Sequence, residues 1–322
     1  MNILILIVGI GMLIAGAEIF VNSSVNIAKK LKVPTVVIAL TIIAIGTSAP
    51  ETVISITASL KGHSDLSMSN IIGSNYFNLL FIVGVAALIK PIKVKMKEVG
   101  IESWLMVCST VTLFLIMIAT PVLNGERIPR AVGIIMVVTF VVYLLMLIRH
   151  ALRGNRSHEH ITHHSSVDIP HEKTKPLWLA SLGVIFGLGI IIYGGELTVS
   201  HAEAIAQQFN VPSRIIGLTI IGAGTSLPEL IIVLIACKKR DSGMALGTII
   251  GTNIYNLLFI LGVAGAIDPL LTTKSQILDL GALTLGNVMV MIFMLTRKRI
   301  TRIEGCAMLA LYLGYLLYAC LS

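Results

Sequence analysis

One polar hexapeptide inside a long apolar run decides the fold: Gly46-Thr47-Ser48-Ala49-Pro50-Glu51. It returns 178 positions further along as Gly224-Thr225-Ser226-Leu227-Pro228-Glu229. Because Pro50 lacks an N–H, it cannot bond the carbonyl of Gly46, which predicts a break or kink in a helix here. A carboxylate within a membrane is costly and by default functional. The two copies therefore predict a paired functional element in a membrane protein.

The composition gives the class of protein. Of the 322 residues, 56% are hydrophobic and 12% are charged, whereas a soluble domain has about 25% charged residues. The net charge of +8 is carried by short loops, so it indicates membrane topology and not nucleic-acid binding. The four cysteines have no CxxC spacing, so neither a disulfide framework nor a zinc site is predicted. We expect an all-α polytopic membrane protein.

Ten apolar segments are separated by loops that contain Pro, Gly, Asn or Lys. They cover residues 2–28, 34–60, 66–89, 99–119, 129–149, 176–208, 212–237, 244–267, 276–295 and 302–321. The first and sixth are long enough to be tilted. The first segment has no basic stretch before it, so we interpret it as a retained helix and not a signal peptide.

The distribution of Lys and Arg predicts the orientation. The loops after the odd-numbered segments hold 19 of the 24 Lys and Arg residues. Since cytoplasmic loops are enriched in these residues, the odd loops are predicted to be cytoplasmic and both termini extracytoplasmic. We expect a multi-pass protein of the plasma (inner) membrane.

The chain is an internal duplication. When residues 16–91 are aligned without gaps on residues 194–269, 35 of 76 positions are identical. Each half has five segments, and because five is odd the second half is inserted upside down, as in many secondary transporters. The predicted units are an N-terminal repeat (1–151), a His-rich cytoplasmic linker (152–175) and a C-terminal inverted repeat (176–322). The linker is either a solvated connection or a transition-metal or pH sensor.

The first repeated motif offers only oxygen ligands. The break should free backbone carbonyls around Ala44 and Gly222, while hydroxyls and the two glutamates add further oxygens. Such hard ligands suit Ca²⁺ or Na⁺. A Thr or Ser alone would more often bond its own helix backbone, so Glu51 and Glu229 are the strongest candidates.

A second motif is also duplicated, with Gly73-Ser74-Asn75-Tyr76-Phe77-Asn78 matched by Gly251-Thr252-Asn253-Ile254-Tyr255-Asn256. Its residues Ser74 and Asn78 lie four apart and therefore on one helix face. They can line the ion site or, alternatively, hydrogen-bond between helices. Asn75 and Asn253 fit the packing role better. The two glutamates Glu18 and Glu196 either line the ion path or extend outwards.

Charge balance indicates an antiporter. Two ionised carboxylates match one Ca²⁺ or two Na⁺, so the two loads exclude one another at one site. Without a bound cation the carboxylates repel, which makes protons a third competitor. A channel needs no such mutual exclusion. An intramembrane enzyme is least favoured, because no nucleophile–base pair or catalytic metal cluster accompanies the glutamates.

The doubled GTSxPE, each followed by G-[ST]-N-x-x-N, resembles the α-repeats of sodium/calcium exchangers in the cation/calcium exchanger superfamily. This resemblance implies ten helices in two inverted five-helix repeats, with helices 2, 3, 7 and 8 broken. It assigns Ca²⁺ to Thr47, Glu51, Thr225 and Glu229, the threonines largely through backbone oxygen. Na⁺ binding and site lining are implied for Ala44, Ser48, Ser74, Asn78, Gly222, Ser226, Thr252 and Asn256.

Two features of the motifs refine the expected coupling. Some members, notably potassium-dependent ones, have Asp where this chain has Asn256, which argues against K⁺ cotransport. Proton-coupled calcium exchangers typically have GNxxE in place of GTSxPE. We therefore predict a Na⁺/Ca²⁺ antiporter working by alternating access. The alternative is an H⁺-coupled antiporter of Ca²⁺ or another divalent cation. We expect no cofactor, and partners limited to Ca²⁺, Na⁺ and the lipid bilayer.

Overall fold

A computed structural model of the chain describes residues 1–30, 44–123, 127–154, 176–238 and 242–321. This described part is mostly helical. Two predicted features lie wholly or partly outside it: the second apolar segment before residue 44, and most of the His-rich linker.

The first half consists of helices that are numbered here in chain order. They are α1 (Asn2–Lys30), α2 (Ala44–Thr47), α3 (Ala49–Leu60), α4 (Ser64–Tyr76), the π-helix π1 (Phe77–Ile82), α5 (Val83–Ile89), α6 (Met96–Leu123) and α7 (Arg130–Gly154). A short strand, β1 (Ile92–Lys93), follows α5.

The second half repeats this order of elements. It contains α8 (Leu177–Phe209), α9 (Ser213–Ile216), π2 (Gly217–Ile221), α10 (Gly222–Thr225), α11 (Leu227–Lys238), α12 (Ser242–Ile254), π3 (Tyr255–Ile260), α13 (Leu261–Ile267), α14 (Lys274–Arg297), β2 (Arg299–Ile300) and α15 (Arg302–Leu321). Strands β1 and β2 pair antiparallel, with Ile92 opposite Ile300. This small ladder joins the two halves.

Eight helices of the described part are long and apolar enough to cross a membrane. A ninth span results if Ser213–Thr225 and Leu227–Leu234, bent by 42° at their junction, are counted together. The chain is therefore a helical multi-pass membrane protein. The number of ten spans stays a prediction, because the second predicted segment is only partly described.

Two matching helices form the centre of the molecule. The spans Ser64–Ile89 and Ala245–Ile267 are 83% and 78% buried within the protein, whereas Arg130–Arg149 is 17% buried. The second repeated motif lies on these two central spans. The motif is therefore held inside the protein, and more peripheral helices such as α7 face outwards.

The two long helices α1 and α8 pack closely along one another. They have 29 and 33 residues, which confirms the predicted length of the first and sixth segments. Glycines allow this approach: a Cβ added at Gly187 would lie 2.8 Å from the backbone nitrogen of Phe20, and one at Gly194 would lie 3.0 Å from the carbonyl oxygen of Gly9. The contact is thus made partly between backbones.

Both hexapeptides interrupt a helix, as predicted. Helix α2 ends at Thr47 and α3 begins at Ala49, while α10 ends at Thr225 and α11 begins at Leu227. The linking residues Ser48 and Ser226 have nearly the same backbone angles, φ −91° and ψ 14° against φ −88° and ψ 9°. The repeated sequence therefore produces a repeated local structure.

The third and eighth predicted segments differ from the expectation of broken helices. Each remains helical throughout, from Ser64 to Ile89 and from Ser242 to Ile267, with a π-helical stretch that begins inside the second motif, at Phe77 and at Tyr255. Gly73 does not break its helix. It lets the backbone pack closely against π2, because a Cβ at this position would lie 2.8 Å from the carbonyl carbon of Leu218. The local irregularity is a π-turn and not a gap.

Candidate cation site

The helix interruptions place one glutamate at the start of each following helix. Glu51 lies in the first turn of α3 and Glu229 in the first turn of α11. Backbone N–H groups in a first helical turn have no intrahelical acceptor, so this end of a helix favours negative charge. Both side chains are fully buried. The fold thus provides partial compensation for two carboxylates within the protein.

Each carboxylate is contacted by hydroxyl residues of the opposite hexapeptide. Ser226 Oγ donates to Glu51 Oε1 at 3.1 Å, and Thr225 lies against the same carboxylate. In the reciprocal arrangement, Thr47 and Ser48 lie against Glu229. The two carboxylates are also close enough to repel one another. The two hexapeptides therefore form one site and not two.

Several buried oxygens of this site have no hydrogen-bond partner of standard geometry within the described residues. They are Ser48 Oγ, Glu51 Oε2, both carboxylate oxygens of Glu229, Asn78 Oδ1 and Asn256 Oδ1. Leaving buried polar oxygens unpaired is unfavourable, and for carboxylates strongly so. Such oxygens suit hard cations like Na⁺ and Ca²⁺. The donor set therefore fits the predicted ions as cargo.

The threonine hydroxyls behave differently from the glutamates. Thr225 Oγ1 donates to the carbonyl oxygen of Ile221 at 2.9 Å, which is the local back-bond common for Thr in helices. This leaves the Thr225 carbonyl as its better cation ligand. The observation agrees with the backbone role that the resemblance implies for Thr225.

The second motif joins the site through α4. Ser74 Oγ donates to the carbonyl oxygen of Gly222 at 3.2 Å, so these two predicted ligands are direct neighbours. Ser74, Asn78 and Asn256 are fully buried, and Thr252 is 4% exposed. Ala44 is the first residue of α2, immediately before the first hexapeptide.

Four asparagines form a symmetric bridge between the halves. Asn75 Nδ2 donates to the carbonyl oxygen of Asn253, and Asn253 Nδ2 donates to that of Asn75, both at 3.2 Å. Asn78 Nδ2 donates to Asn253 Oδ1 at 3.3 Å and Asn256 Nδ2 to Asn75 Oδ1 at 3.1 Å. The packing role expected for Asn75 and Asn253 is confirmed. The bridge also orients the amides of Asn78 and Asn256.

The glutamates of the long helices lie at the surface. Glu18 is exposed. Glu196 Oε1 is 2.7 Å from Lys61 Nζ, and its side chain is 52% exposed. Of the two roles considered for these residues, the outward one fits both.

Sequence reasoning missed two polar contacts. The hydroxyls of Tyr255 and Thr52 lie 3.3 Å apart. Tyr255 belongs to the second motif, and the first copy of the motif has Phe77, which lacks a hydroxyl, at the matching position. This difference between the copies was the available signal. Arg214 Nη1 lies 2.6 Å from Asp279 Oδ1, and Tyr315 donates to the same carboxylate. No periodic pattern links these three residues, because α9, α14 and α15 meet only in the folded chain.

Known proteins are similar to this chain over most of its length. A family described as "Sodium/calcium exchanger protein" matches residues 1–149 and 179–321. The putative antiporter CaxA of Alkalimonas amylolytica is 34% identical over 314 residues, covering 96% of this chain and 95% of that protein. The sodium/calcium exchanger MaX1 of Methanosarcina acetivorans is 30% identical over 340 residues, covering 98% and 97%.

Solved structures give the same result. A structure of the sodium-calcium exchanger NCX_Mj, soaked with Na⁺ and Sr²⁺, aligns with a TM-score of 0.60 and 28% identity. The alignment covers 98% of this chain and 97% of that chain. The similarity therefore includes both halves.

Proposed function

Since the chain belongs to the sodium/calcium exchanger protein family, we propose that it exchanges Na⁺ for Ca²⁺ across the membrane by secondary active antiport. The observation that carries the proposal is the pair of buried carboxylates, Glu51 and Glu229. Each is contacted by hydroxyl residues of the other hexapeptide. The protein is a transporter and not an enzyme, and it needs no cofactor or obligate protein partner.

The proposed ligands combine both repeated motifs. Ca²⁺ binds between Glu51 and Glu229 with the carbonyl oxygens of Thr47 and Thr225. Na⁺ binding and site lining fall to Ala44, Ser48, Ser74, Asn78, Gly222, Ser226, Thr252 and Asn256. Two carboxylates neutralise one Ca²⁺ or two Na⁺, so binding of one ion type excludes the other. This exclusion couples the two fluxes.

The proposed architecture is two inverted repeats of five spans, residues 1–151 and 176–322, joined by a His-rich linker at 152–175. The family match supports this division because it leaves out residues 150–178. The reciprocal asparagine bridge also supports a pseudo-two-fold relation between the halves. We place the protein in the plasma (inner) membrane with cytoplasmic odd-numbered loops and extracytoplasmic termini.

Alternating access is proposed to occur by movement of α1 and α8 against the remaining helices. The close glycine contacts between α1 and α8 let them move together as one unit. Helix α8 contacts the α3–α4 hairpin through a shared buried apolar cluster that includes Ala58, Leu66 and Val199. At the turn it is also held by the Lys61–Glu196 ion pair and by a contact of His63 with Glu203. A covalent crosslink from α8 to α3 should therefore stop exchange, and undiminished exchange after complete crosslinking would rule out this motion.

The test of the function is Ca²⁺ uptake by proteoliposomes that contain the purified chain. Separate outward gradients of Na⁺, K⁺ and H⁺ are imposed at matched membrane potential. We expect uptake with the Na⁺ gradient only. Uptake driven by H⁺ alone would replace this proposal with the proton-coupled alternative, and uptake without any counter-ion gradient would indicate a channel.

A further inference from the structure

The buried face of α3 stays polar beyond Glu51, towards the turn at residues 61–63. Ser55 and Ser59 follow Glu51 at intervals of four and therefore share its face. Helix α4 returns antiparallel to α3 and contributes Ser64, Ser67 and Asn70. All five side chains are at most 3% exposed. A polar strip thus runs inside the protein from the cation site to the turn.

One contact fixes how the two helices face each other. Asn70 Nδ2 donates to Ser55 Oγ at 3.0 Å. Ser59 lies one turn further out on α3 and Ser67 one turn further out on α4, so they occupy the next layer of the same interface. The outermost residue, Ser64, begins α4.

The oxygens of this strip have unused bonding capacity. Asn70 Oδ1 and the hydroxyl oxygens of Ser59, Ser64 and Ser67 lack a hydrogen-bond partner among the residues described. Packing alone does not account for them, because a buried, unpaired polar atom is unfavourable. Water or a hard cation would satisfy these oxygens.

The second half preserves only part of this strip. In the repeat alignment, Ser55 and Ser59 match Val233 and Cys237, and Ser67 matches Ala245. These three residues are buried at 0%, 7% and 1% exposure. The other two positions stay polar, since Ser64 matches Ser242 and Asn70 matches Thr248. The corresponding interface of α11 and α12 therefore lacks three of the five polar side chains.

We propose that the α3–α4 interface is a route for a partly hydrated hard cation between Glu51 and the turn at residues 61–63. This inference rests on the proposed antiport function. Neutral oxygens replace part of the hydration shell without a charge that would trap the ion. The continuous route is particular to the first half, because Val233, Cys237 and Ala245 interrupt the polar positions at the α11–α12 interface.

The outer end of the route is tied to the helix that is proposed to move. Lys61 Nζ lies 2.7 Å from Glu196 Oε1 and 2.9 Å from Ser200 Oγ on α8. His63 Nε2 lies 3.2 Å from Glu203 Oε1 on the same helix. Movement of α8 would therefore break these contacts and open the route at the turn.

The chain contains a matched pair of positions for a test. Cys237 is the repeat counterpart of Ser59. One variant keeps Cys237 and replaces Cys108, Cys306 and Cys320 with Ser; the other replaces all four cysteines and carries Ser59→Cys. Both are reconstituted and treated with a membrane-impermeant, positively charged thiol reagent present on both sides of the membrane, because the inverted repeat places the two positions near opposite faces. Na⁺-driven Ca²⁺ uptake is measured in both variants as a separate test of the antiport function.

We expect the Ser59→Cys thiol to react at least about tenfold faster than Cys237, because thiolate formation requires a polar surrounding. Saturating Ca²⁺ or Na⁺ should slow that reaction. Equal reaction rates, or a rate unaffected by either cation, would overturn the route while leaving active exchange, and thus the proposed function, intact. If the Ser59→Cys variant does not fold, Ser67→Cys takes its place, with Ala245→Cys as its counterpart.

A flux measurement gives a second, independent result. Ser55→Val installs the residue of the second half, and Val233→Ser makes the reverse change. Ser55→Val should slow Na⁺-driven Ca²⁺ uptake several-fold and leave equilibrium Ca²⁺ binding unchanged. Unchanged uptake, or weaker equilibrium binding in proportion to uptake, would contradict a role in ion passage.

Discussion

The α3–α4 hairpin of the first half and the α11–α12 hairpin of the second share the glutamate of the site and differ beyond it. Each has this glutamate in its first turn, directly after an interrupted helix. Further along, the first hairpin has Ser55 and Ser59 where the second has Val233 and Cys237. In the proposed mechanism, the duplicated glutamates belong to the shared cargo site, and the divergent residues determine how that site is reached from each membrane surface.

The two halves should be most alike at the carboxylates of Glu51 and Glu229, which have equivalent roles in the proposed mechanism. Glu51→Gln or Glu229→Gln should each reduce Na⁺-driven Ca²⁺ uptake to the level of empty liposomes, because one remaining charge cannot neutralise Ca²⁺. Glu18→Gln, on the surface of α1, is the matched control and should keep its activity. Activity in only one of the two site variants would break the equivalence of the halves.

Gly73 tests the close contact between the halves. A Cβ there would meet the backbone of Leu218, and overpacking of this kind destabilises by about 1–3 kcal/mol. Gly73→Ala should therefore lower the unfolding temperature in detergent. Gly189→Ala is the control, since no atom of the described residues lies within 4 Å of its added methyl. Equal unfolding temperatures for the two variants would contradict the packing.

The asparagine bridge tests whether the halves contribute equally. Asn75→Ala removes the hydrogen bond that Asn75 donates to Asn253 and the one that it accepts from Asn256. Asn253→Ala removes the equivalent two bonds, to Asn75 and from Asn78. At about 1 kcal/mol for each hydrogen bond, either change should lower the free energy of unfolding by about 2 kcal/mol. Denaturant titration of both variants measures this. A much smaller loss in one of them would show that the bridge is asymmetric.

The smallest effect is expected at the α8 contact. The Lys61–Glu196 pair is 30% and 52% exposed, and exposed pairs contribute about 0–1 kcal/mol. Lys61→Ala should therefore leave Ca²⁺ affinity unchanged and alter the exchange rate by at most about fivefold. A large drop in equilibrium Ca²⁺ binding would mean that the pair supports the site and not the movement of α8.

Local chemistry made the centre of the site predictable from sequence. Pro50 and its repeat Pro228 identify the interrupted helices, since a missing N–H acts wherever the residue lies. A buried carboxylate has few roles other than ion binding, so Glu51 and Glu229 were identified by their setting. Duplication narrowed the candidates, but it also retained Glu18 and Glu196, which lie at the surface.

Contacts between distant elements were not predictable in the same way. The hydrogen bond from Ser226 to Glu51 depends on how two helices from opposite halves face each other. Glu196 faces outwards because of the rotation of α8, which a nearly uniform apolar sequence leaves undetermined. Gly73 could equally have broken its helix or packed against a neighbour, and only Leu218 decides between these outcomes.

The central claim is that the two hexapeptides make one site whose loads exclude each other. Calorimetric titration of the purified chain with Ca²⁺, at several Na⁺ concentrations, tests it most directly. We expect one high-affinity Ca²⁺ per chain, displaced competitively by Na⁺. Both Glu51→Gln and Glu229→Gln should abolish this binding. Two independent Ca²⁺ sites, each abolished by only one substitution, or Ca²⁺ binding that Na⁺ does not displace, would contradict it.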